Sequence, residues 1–353
     1  MSTQLYSQQF IAIAPETVRN VAELVPTIVL KASLDSIVQL KRMVEKDIIQ
    51  GTTRDSLRQK YFTGQEVEGN IKSRIEVRDI GAILKGIFGQ PTSTTALGAT
   101  THNFIPLNAV GGNPTVNLPT YTIFIRDGAN GIIRYRGCSF SKGKISIGNN
   151  VCEIDATVMG LDQALIMNAT EVANILVAVS NTFAIPPSNQ FLFGNVVTKY
   201  ADTIANLATG TVLNVLPGIE LEFDNDSKFD GSSSSSANQL NTNFNVMAGD
   251  FSSKISLSGY STAANQPMFN SFHSPITANQ SRCFEISLQN IGSGTIGTSS
   301  LFPTLRFTLN KSLIEYEKSE SDGYLAFNLT LEPENPTATN SIQVTLINST
   351  TTY

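Results

Sequence analysis

The residues that come nearest to catalytic chemistry are Glu153 and Asp155, two carboxylates two positions apart in CEIDATVMG. Alternate residues of a strand share a face, so the pair has the spacing of an acid and a base in a β-sandwich hydrolase. Read across a hairpin, the same spacing gives them other partners. A two-residue Asn149-Asn150 turn sets Ser146 opposite Glu153 and Lys144 opposite Asp155, and that favours a solvated or inter-subunit face over paired catalytic acids. The two histidines, His102 in THNFIP and His273 in SFHSPIT, have no Cys, His or carboxylate at ligand spacing, so both read as solvated loop residues. Gly292-Ser293-Gly294-Thr295-Ile296-Gly297 matches GxGxxG in letters only. The following TSSLFPTLRFTL reads as a strand, where a phosphate cradle needs a helix. Gly143-Lys144 lacks the earlier glycine of a P-loop, and there is no GxSxG. Catalytic residues, metal ligands and cofactors are therefore not expected.

The elements that hold Glu153 and Asp155 lie in Leu118–Gly160, which reads as four strands joined by turns. Tyr121, Ile123 and Ile125 alternate with Thr120, Thr122 and Arg126, giving one apolar face. The turn 127–131 then sets Ile125 opposite Ile133 and Ile123 opposite Tyr135. In the second hairpin Ile147 meets Cys152 and Ile145 meets Ile154. A slip of one residue would oppose Ile145 to Glu153, so the pattern fixes the register. Arg126, Arg134 and Arg136 cluster on the polar side of the first hairpin, as an interaction patch or a solvated face.

Around this sheet the clearest helix is Asp79–Gly89. Asp79 is expected to cap its start and Gly89 to end it, and Ile80, Ile83, Leu84, Ile87 and Phe88 recur at helical spacing, so this stripe must pack on a sheet. Pro15–Val25 could form a short helix. Pro26–Ser36 and Glu66–Val77 read as strands. The charged Ile37–Gln65 segment is either a helix or a long hairpin arm, and Leu161–Met167 and Val172–Val179 are each helix or strand. Pro186-Pro187 marks a domain boundary, dividing residues 1–185 from 186–353. Further on, strands are expected at Ile219–Phe223, Lys254–Ser258, Cys283–Gln289, Leu305–Leu309, Leu313–Lys318, Tyr324–Leu331 and Ile342–Ile347. A polar excursion at Asp224–Asp250 carries a serine run, and Thr262–Phe272 could be a short helix.

The order repeats. LVPTIVLKASLD (24–35) matches VLPGIELEFDND (215–226), and each is followed by a polar excursion, a strand, a helix candidate and a run of antiparallel strands. The fold class is therefore mainly β with short helices: two tandem β-sandwich or half-barrel domains, each with a flanking helix.

Composition narrows the function. The 353 residues are 41% hydrophobic, enough for two real cores, but only 15% charged. Ser, Thr, Asn and Gln fill the polar positions, which suits a surface later buried against other subunits or an ordinary β-rich protein. A net charge of −5 argues against direct nucleic-acid recognition. Cys138, Cys152 and Cys283 read as free thiols of a reducing cytosol. The N-terminus has no signal-peptide pattern and no apolar run reaches membrane-spanning length, so folding in the cytosol is expected.

GQEVEGNIKSRIEVRDIGAILKGIFG, a Pro/Thr loop with THNF, LPTYTIFI, IIRYRGCSFSKGKISI and CEIDATVMG follow in an order that resembles the tail tube (major tail) protein of long-tailed, non-contractile bacteriophages. The likeness covers roughly residues 60–160. FLFGNVV and LPGIELEFDND extend it, and the second half follows the family's strand order more loosely. The resemblance implies a β-sandwich or barrel with a helix at its flank, six such domains to a ring, inner sheets merged into one barrel, and rings stacked into a hollow virion tube. It implies DNA as a cargo bound without specificity, and as partners other copies of the chain, tape measure, tail terminator and baseplate proteins, with no membrane. Assembly in the host cytoplasm follows. With two tube-like domains per chain, three chains would fill a pseudo-hexameric ring; a second domain outside the tube would instead require a hexamer. In that frame Lys41, Arg42, Glu45, Lys46, Asp55, Asp226 and Lys228, on the two excursions, are candidates for contacts between rings. Lys144, Glu153, Asp155, Glu220 and Glu222 are candidates for the lumen or a subunit interface. A baseplate or host-adhesion protein of the same sandwich fold is the rival reading, and a hydrolase using Glu153 and Asp155 the more distant one.

Overall fold

The computed structural model describes residues 9–33, 36–46, 60–106, 117–126, 131–148, 151–183, 191–229, 246–263, 265, 282–321, 324–334 and 340–353, with backbone alone at 37, 42–46, 60–65 and 193. The first half runs β1 (Phe10–Pro15), β2 (Ile28–Leu30), β3 (Ile37–Lys46), β4 (Lys60–Arg74), α1 (Ile80–Phe88), β5 (Thr92–Ala96), β6 (Ala99–Phe104), β7 (Tyr121–Arg126), β8 (Ile132–Ile147), β9 (Cys152–Gly160), β10 (Asp162–Ile166) and α2 (Ala169–Phe183). The second runs β11 (Val196–Ala201), β12 (Thr211–Leu213), β13 (Ile219–Asp224), β14 (Lys228–Phe229), β15 (Val246–Met247), β16 (Ser252–Tyr260), β17 (Arg282–Gln289), β18 (Thr304–Ser321), β19 (Tyr324–Pro333) and β20 (Ile342–Asn348). The chain is mainly β, as its alternating patterns require.

The register expected for Leu118–Gly160 holds. Ile125 faces Ile133, Ile123 faces Tyr135, Ile145 faces Ile154 and Lys144 faces Asp155. The stretch has three strands rather than four, because Ile132–Ile147 is one continuous strand with a kink at Gly137, whose φ is 61°. Leu305–Leu309 and Leu313–Lys318 likewise merge into β18, kinked at Lys311 with φ 23°. At each kink the strand changes neighbours. Before Gly137, β8 lies between β7 and β10; after it, β8 lies between β9 and β13.

Ile37–Gln65 resolves as a hairpin, β3 against β4. Asp162–Ile166 is a strand and Ala169–Phe183 a helix. The short helix at Pro15–Val25 does not form: Asn20 has φ 62°, outside the helical region, and Glu23 instead accepts hydrogen bonds from the Thr17 backbone N–H and hydroxyl at 2.7 and 2.8 Å. The 186–187 boundary, the serine run and most of Thr262–Phe272 lie outside the described residues.

α1 is enclosed rather than flanking. Every one of its residues except Lys85 is buried, which needs small residues where neighbours press in. A Cβ on Gly86 would sit 2.3 Å from the Phe140 ring, and one on Gly143 of β8 would sit 2.4 Å from Ile87. Tyr121 donates from its hydroxyl to the Ala82 carbonyl (2.7 Å), and Asn225 of the second half donates to the Ile87 carbonyl (3.0 Å), satisfying an acceptor of the last turn. Asp79 precedes the helix but does not cap it. Its carboxylate accepts from Arg78 Nε at 2.7 Å. α2 covers β1, β2, β7 and β10: its Ile175 and Val179 pack with Phe10, Ala12, Val29, Phe124 and Ile166.

The halves repeat one pairing plan. β1 on β2 and β7 corresponds to β11 on β12 and β17. β7–β8, β8–β10, β8–β9, β9–β4 and β4–β3 correspond to β17–β18, β18–β20, β18–β19, β19–β16 and β16–β13. Both kinks coincide, Cys138 standing where Ser312 stands relative to them. The repeat is real in this sense, but its register differs from the one the letters suggest. β2 corresponds to β12 (Leu30 to Leu213) and β3 to β13 (Val38 to Leu221), so the similarity of 24–35 to 215–226 is out of step by eight residues. The halves share one apolar core, in which Phe88 meets Phe223 (ring centroids 5.1 Å) and Phe251 (5.5 Å).

Candidate functional site: one polar sheet face and its two edges

Tracing the pairings gives an eight-stranded run, β3-β4-β9-β8-β13-β16-β19-β18, four strands from each half. Strict alternation gives it two unlike faces. Val67, Ile71, Ile145, Ile154, Leu221, Ile255 and Leu329 point into the core and are buried. Glu68, Lys72, Lys144, Asp155, Glu222, Lys254 and Glu315 lie on the other face, half-buried or exposed. Carboxylates outnumber cations on that face, since Glu153, Glu220, Asp224, Glu317 and Glu332 share it.

The joint at the middle of this run brings together residues far apart in sequence. β13 pairs with β8 in the register Leu221–Ile145, Glu222–Lys144 and Asp224–Lys142. Lys144 Nζ lies 2.8 Å from Glu220 and 3.2 Å from Glu222, and Lys142 Nζ lies 2.6 Å from Asp224. These contacts hold the ammonium form of both lysines, through hydrogen bonds to those carboxylates, and raise their pKa values. Three of the expected lumen or interface residues, Lys144, Glu220 and Glu222, are therefore one cluster. Lys144 also faces Asp155 in register, as expected, but its nearest carboxylates come from the other half, a partner no local pattern announces. Glu153 lies 3.4 Å from Lys72. Asp155 stands between Lys72 and Lys144, and its Oδ1 is buried without a hydrogen bond.

The residues expected to join rings divide. Lys41 forms an ion pair with Glu68. Lys41, Glu68, Lys142 and Asp226 line one shallow groove of about 580 Å³ on the polar face. Asp226 pairs with the exposed Lys228 at 2.9 Å. Arg42, Glu45 and Lys46 belong to β3, and Asp55 lies outside the described residues. Ile80, Ile83, Leu84, Ile87 and Phe88 are all buried in the core, as their spacing requires.

Other candidates change meaning. His102 is fully buried, not a solvated loop residue. It sits on β6, which pairs with β20, and its Nε2 meets the Thr350 carbonyl (2.8 Å) while Nδ1 meets the Ser93 hydroxyl (2.7 Å). A carbonyl only accepts, so Nε2 carries a proton and the ring ties the two halves together. His273 lies outside the described residues. Arg134 pairs with Glu171 of α2 at 2.8 Å and Arg136 with Asp162 at 3.0 Å, so both brace the sheet. Gly292–Gly297 is followed by β18, not a helix. Cys138, Cys152 and Cys283 are buried and unbridged, and burial pushes the Cys152 thiol up to about 12. Among the described residues no group of His, Cys, Asp and Glu is placed to hold a metal ion, and no helix is long and apolar enough to cross a membrane.

The feature the sequence did not reveal is the pair of sheet edges. Among the described strands, none lies along the outer side of β3, and none lies along β18 beyond Ser312 on the side of β17. Neither a protein-family model nor a curated protein matches the chain.

Proposed function

We propose that this chain is a building block of a phage tail tube, the hollow virion conduit through which DNA reaches the host. The observation that carries the reading is the eight-stranded run itself. It consists of the same four strands twice over, joined edge to edge, with one apolar face against the core and one polar, mainly acidic face in solvent. A repeated unit with two open ends extends by adding further copies, and closure into a ring removes the exposed edges that antiparallel sheets otherwise leave. Three copies exceed the roughly 16–18 strands at which barrels enclose an aqueous channel. A carboxylate-rich lumen repels phosphate and lets DNA pass without being held.

In this reading the two halves are tandem tube domains, the protein has no enzymatic activity, and it resides in the virion tail after assembly in the host cytoplasm. Tape measure, tail terminator and baseplate proteins are its partners. Deleting residues 47–55, which spares β3, tests the role of the β3–β4 connection between rings. The shortened chain is expected to form soluble rings that stop short of tubes; tubes of normal length would remove this connection from stacking. A shift in migration on carbohydrate, with no tubes formed by the intact chain, would replace the tube by the host-adhesion reading.

A further inference from the structure

The chain contains one complete joint between four-strand units, β13 on β8, and one further copy of each of its two sides. Corresponding positions follow from the shared pairings. Val38 and Leu40 of β3 stand where Leu221 and Phe223 stand in β13. Tyr316 and Lys318 of β18 stand where Gly143 and Ile145 stand in β8, each opposite the matching residue of β19 or β9. β13 is held on both sides, by β8 and β16, whereas β3 is held by β4 alone among the described strands. The second half of β8 is held by β9 and β13, whereas that of β18 is held by β19 alone among the described strands.

We infer that β3 of one copy pairs antiparallel with β18 of the next, in the register that β13 takes on β8. Leu40 then faces Tyr316 of the next copy on the core side. On the polar side Gln39 faces Glu317 and Lys41 faces Glu315. The inference rests on the tube reading, which supplies the ring that this seam closes.

Charge is what makes the seam selective. In the internal joint the β8 side is basic and the β13 side acidic, with Lys142 on Asp224 and Lys144 on Glu220 and Glu222. In the seam the signs are reversed: the β3 side carries Lys41 and the β18 side carries Glu315 and Glu317. Lys41 is half exposed, with Glu68 as its present ion-pair partner, so it remains within reach of an added strand. The two ways of mating the wrong sides, β3 on β8 or β13 on β18, oppose Lys41 to Lys142 or Asp224 to Glu315. Like charges directly across a strand pair are destabilising, so each joint rejects the other's partner. A chain with one internal joint and one seam can close only through other whole copies.

The test uses the full chain with Gln39→Cys and Glu317→Cys together, oxidised mildly and run on a non-reducing gel. The three native cysteines are buried and do not compete. Lys144→Cys with Glu222→Cys is the positive control and is expected to close within one chain. The seam predicts covalent dimers and trimers with nothing larger, and at least tenfold less product when Gln39→Cys is combined with Ser319→Cys, two residues out of register. A ladder running past three overturns closure by three copies. Tubes or rings in the microscope with no 39–317 bond overturn the seam and leave the tube reading standing. Covalent trimers that never stack leave the seam standing and overturn the tube. A second arm needs no disulfide: Lys41→Glu should reduce ring formation at least tenfold with the monomer still folded by circular dichroism, and adding Glu315→Lys should restore it. Failure of that rescue removes charge as the selecting term.

Discussion

β8 and β18 hold the same place in the two halves and differ where their partners differ. At the kink β8 has Gly137 and β18 has Lys311, both at positive φ. On the core side β8 has Gly143, leaving room for Ile87 of α1, where β18 has Tyr316. On the polar side β8 has Lys142 and Lys144 where β18 has Glu315 and Glu317. Identical pairing thus survives unlike residues, because register is set by hairpins and alternation rather than by any one side chain. The differences record what each strand meets: an enclosed helix and an internal joint for β8, and beyond Ser312 β19 alone among the described strands for β18.

The largest expected effect breaks the shared core. Phe88→Ala removes a ring that packs on Phe223 and Phe251 and should cost about 3–5 kcal/mol. Because those partners belong to the second half, calorimetry should show one transition moving to lower temperature; a second-half transition left in place would mean that the halves unfold independently. Exchanging the core residues comes next. Gly143→Tyr drives a side chain into Ile87, which already lies 2.4 Å from a Cβ there, and should cost about 3 kcal/mol or more. The reverse change, Tyr316→Gly, should cost less, about 1–2 kcal/mol, since Tyr316 is only partly buried. Equal losses in urea titrations would remove the distinction between the two strands.

The kinks should respond with opposite sign. Gly137→Ala places a Cβ 2.6 Å from Leu161 at φ 61° and should cost about 1–2 kcal/mol. Lys311→Gly relieves a non-glycine residue at φ 23° and should stabilise by up to about 1 kcal/mol. Chemical denaturation of the pair decides it, and a loss at both sites would show that Lys311 contributes more through its side chain than its backbone costs. The smallest effect concerns Asp79, whose burial raises its pKa above 3.8 against the opposing pull of Arg78. The native state then holds this proton more tightly than the unfolded chain. Stability from this group is present below 3.8 and is lost as pH rises through the raised value. Asp79→Asn should flatten that slope above pH 3.8, read from urea titrations at a series of pH values; an unchanged slope would place the buried carboxylate's titration elsewhere.

Period-two alternation made most strands legible, and it set the β8–β9 register correctly through Ile145 and Ile154. It broke each kinked strand in two, since a positive-φ residue shifts the phase of alternation at Gly137 and Lys311. The α1 stripe was legible, but its enclosure was not, because that depends on Gly86, Gly143 and the distant Tyr121. His102 looked solvated because the strand that covers it, β20, arrives from the other end of the chain. The clustering of Lys144 with Glu220 and Glu222 was hidden for the same reason: pairing across 76 residues leaves no local trace.

The most direct measurement is electron microscopy of the purified full chain, concentrated under assembly conditions, with symmetry analysis of end-on views. Hollow tubes of stacked rings are expected, each ring three-fold with six similar lobes. Protein that remains monomeric, or rings with six identical lobes built from six chains, would contradict this.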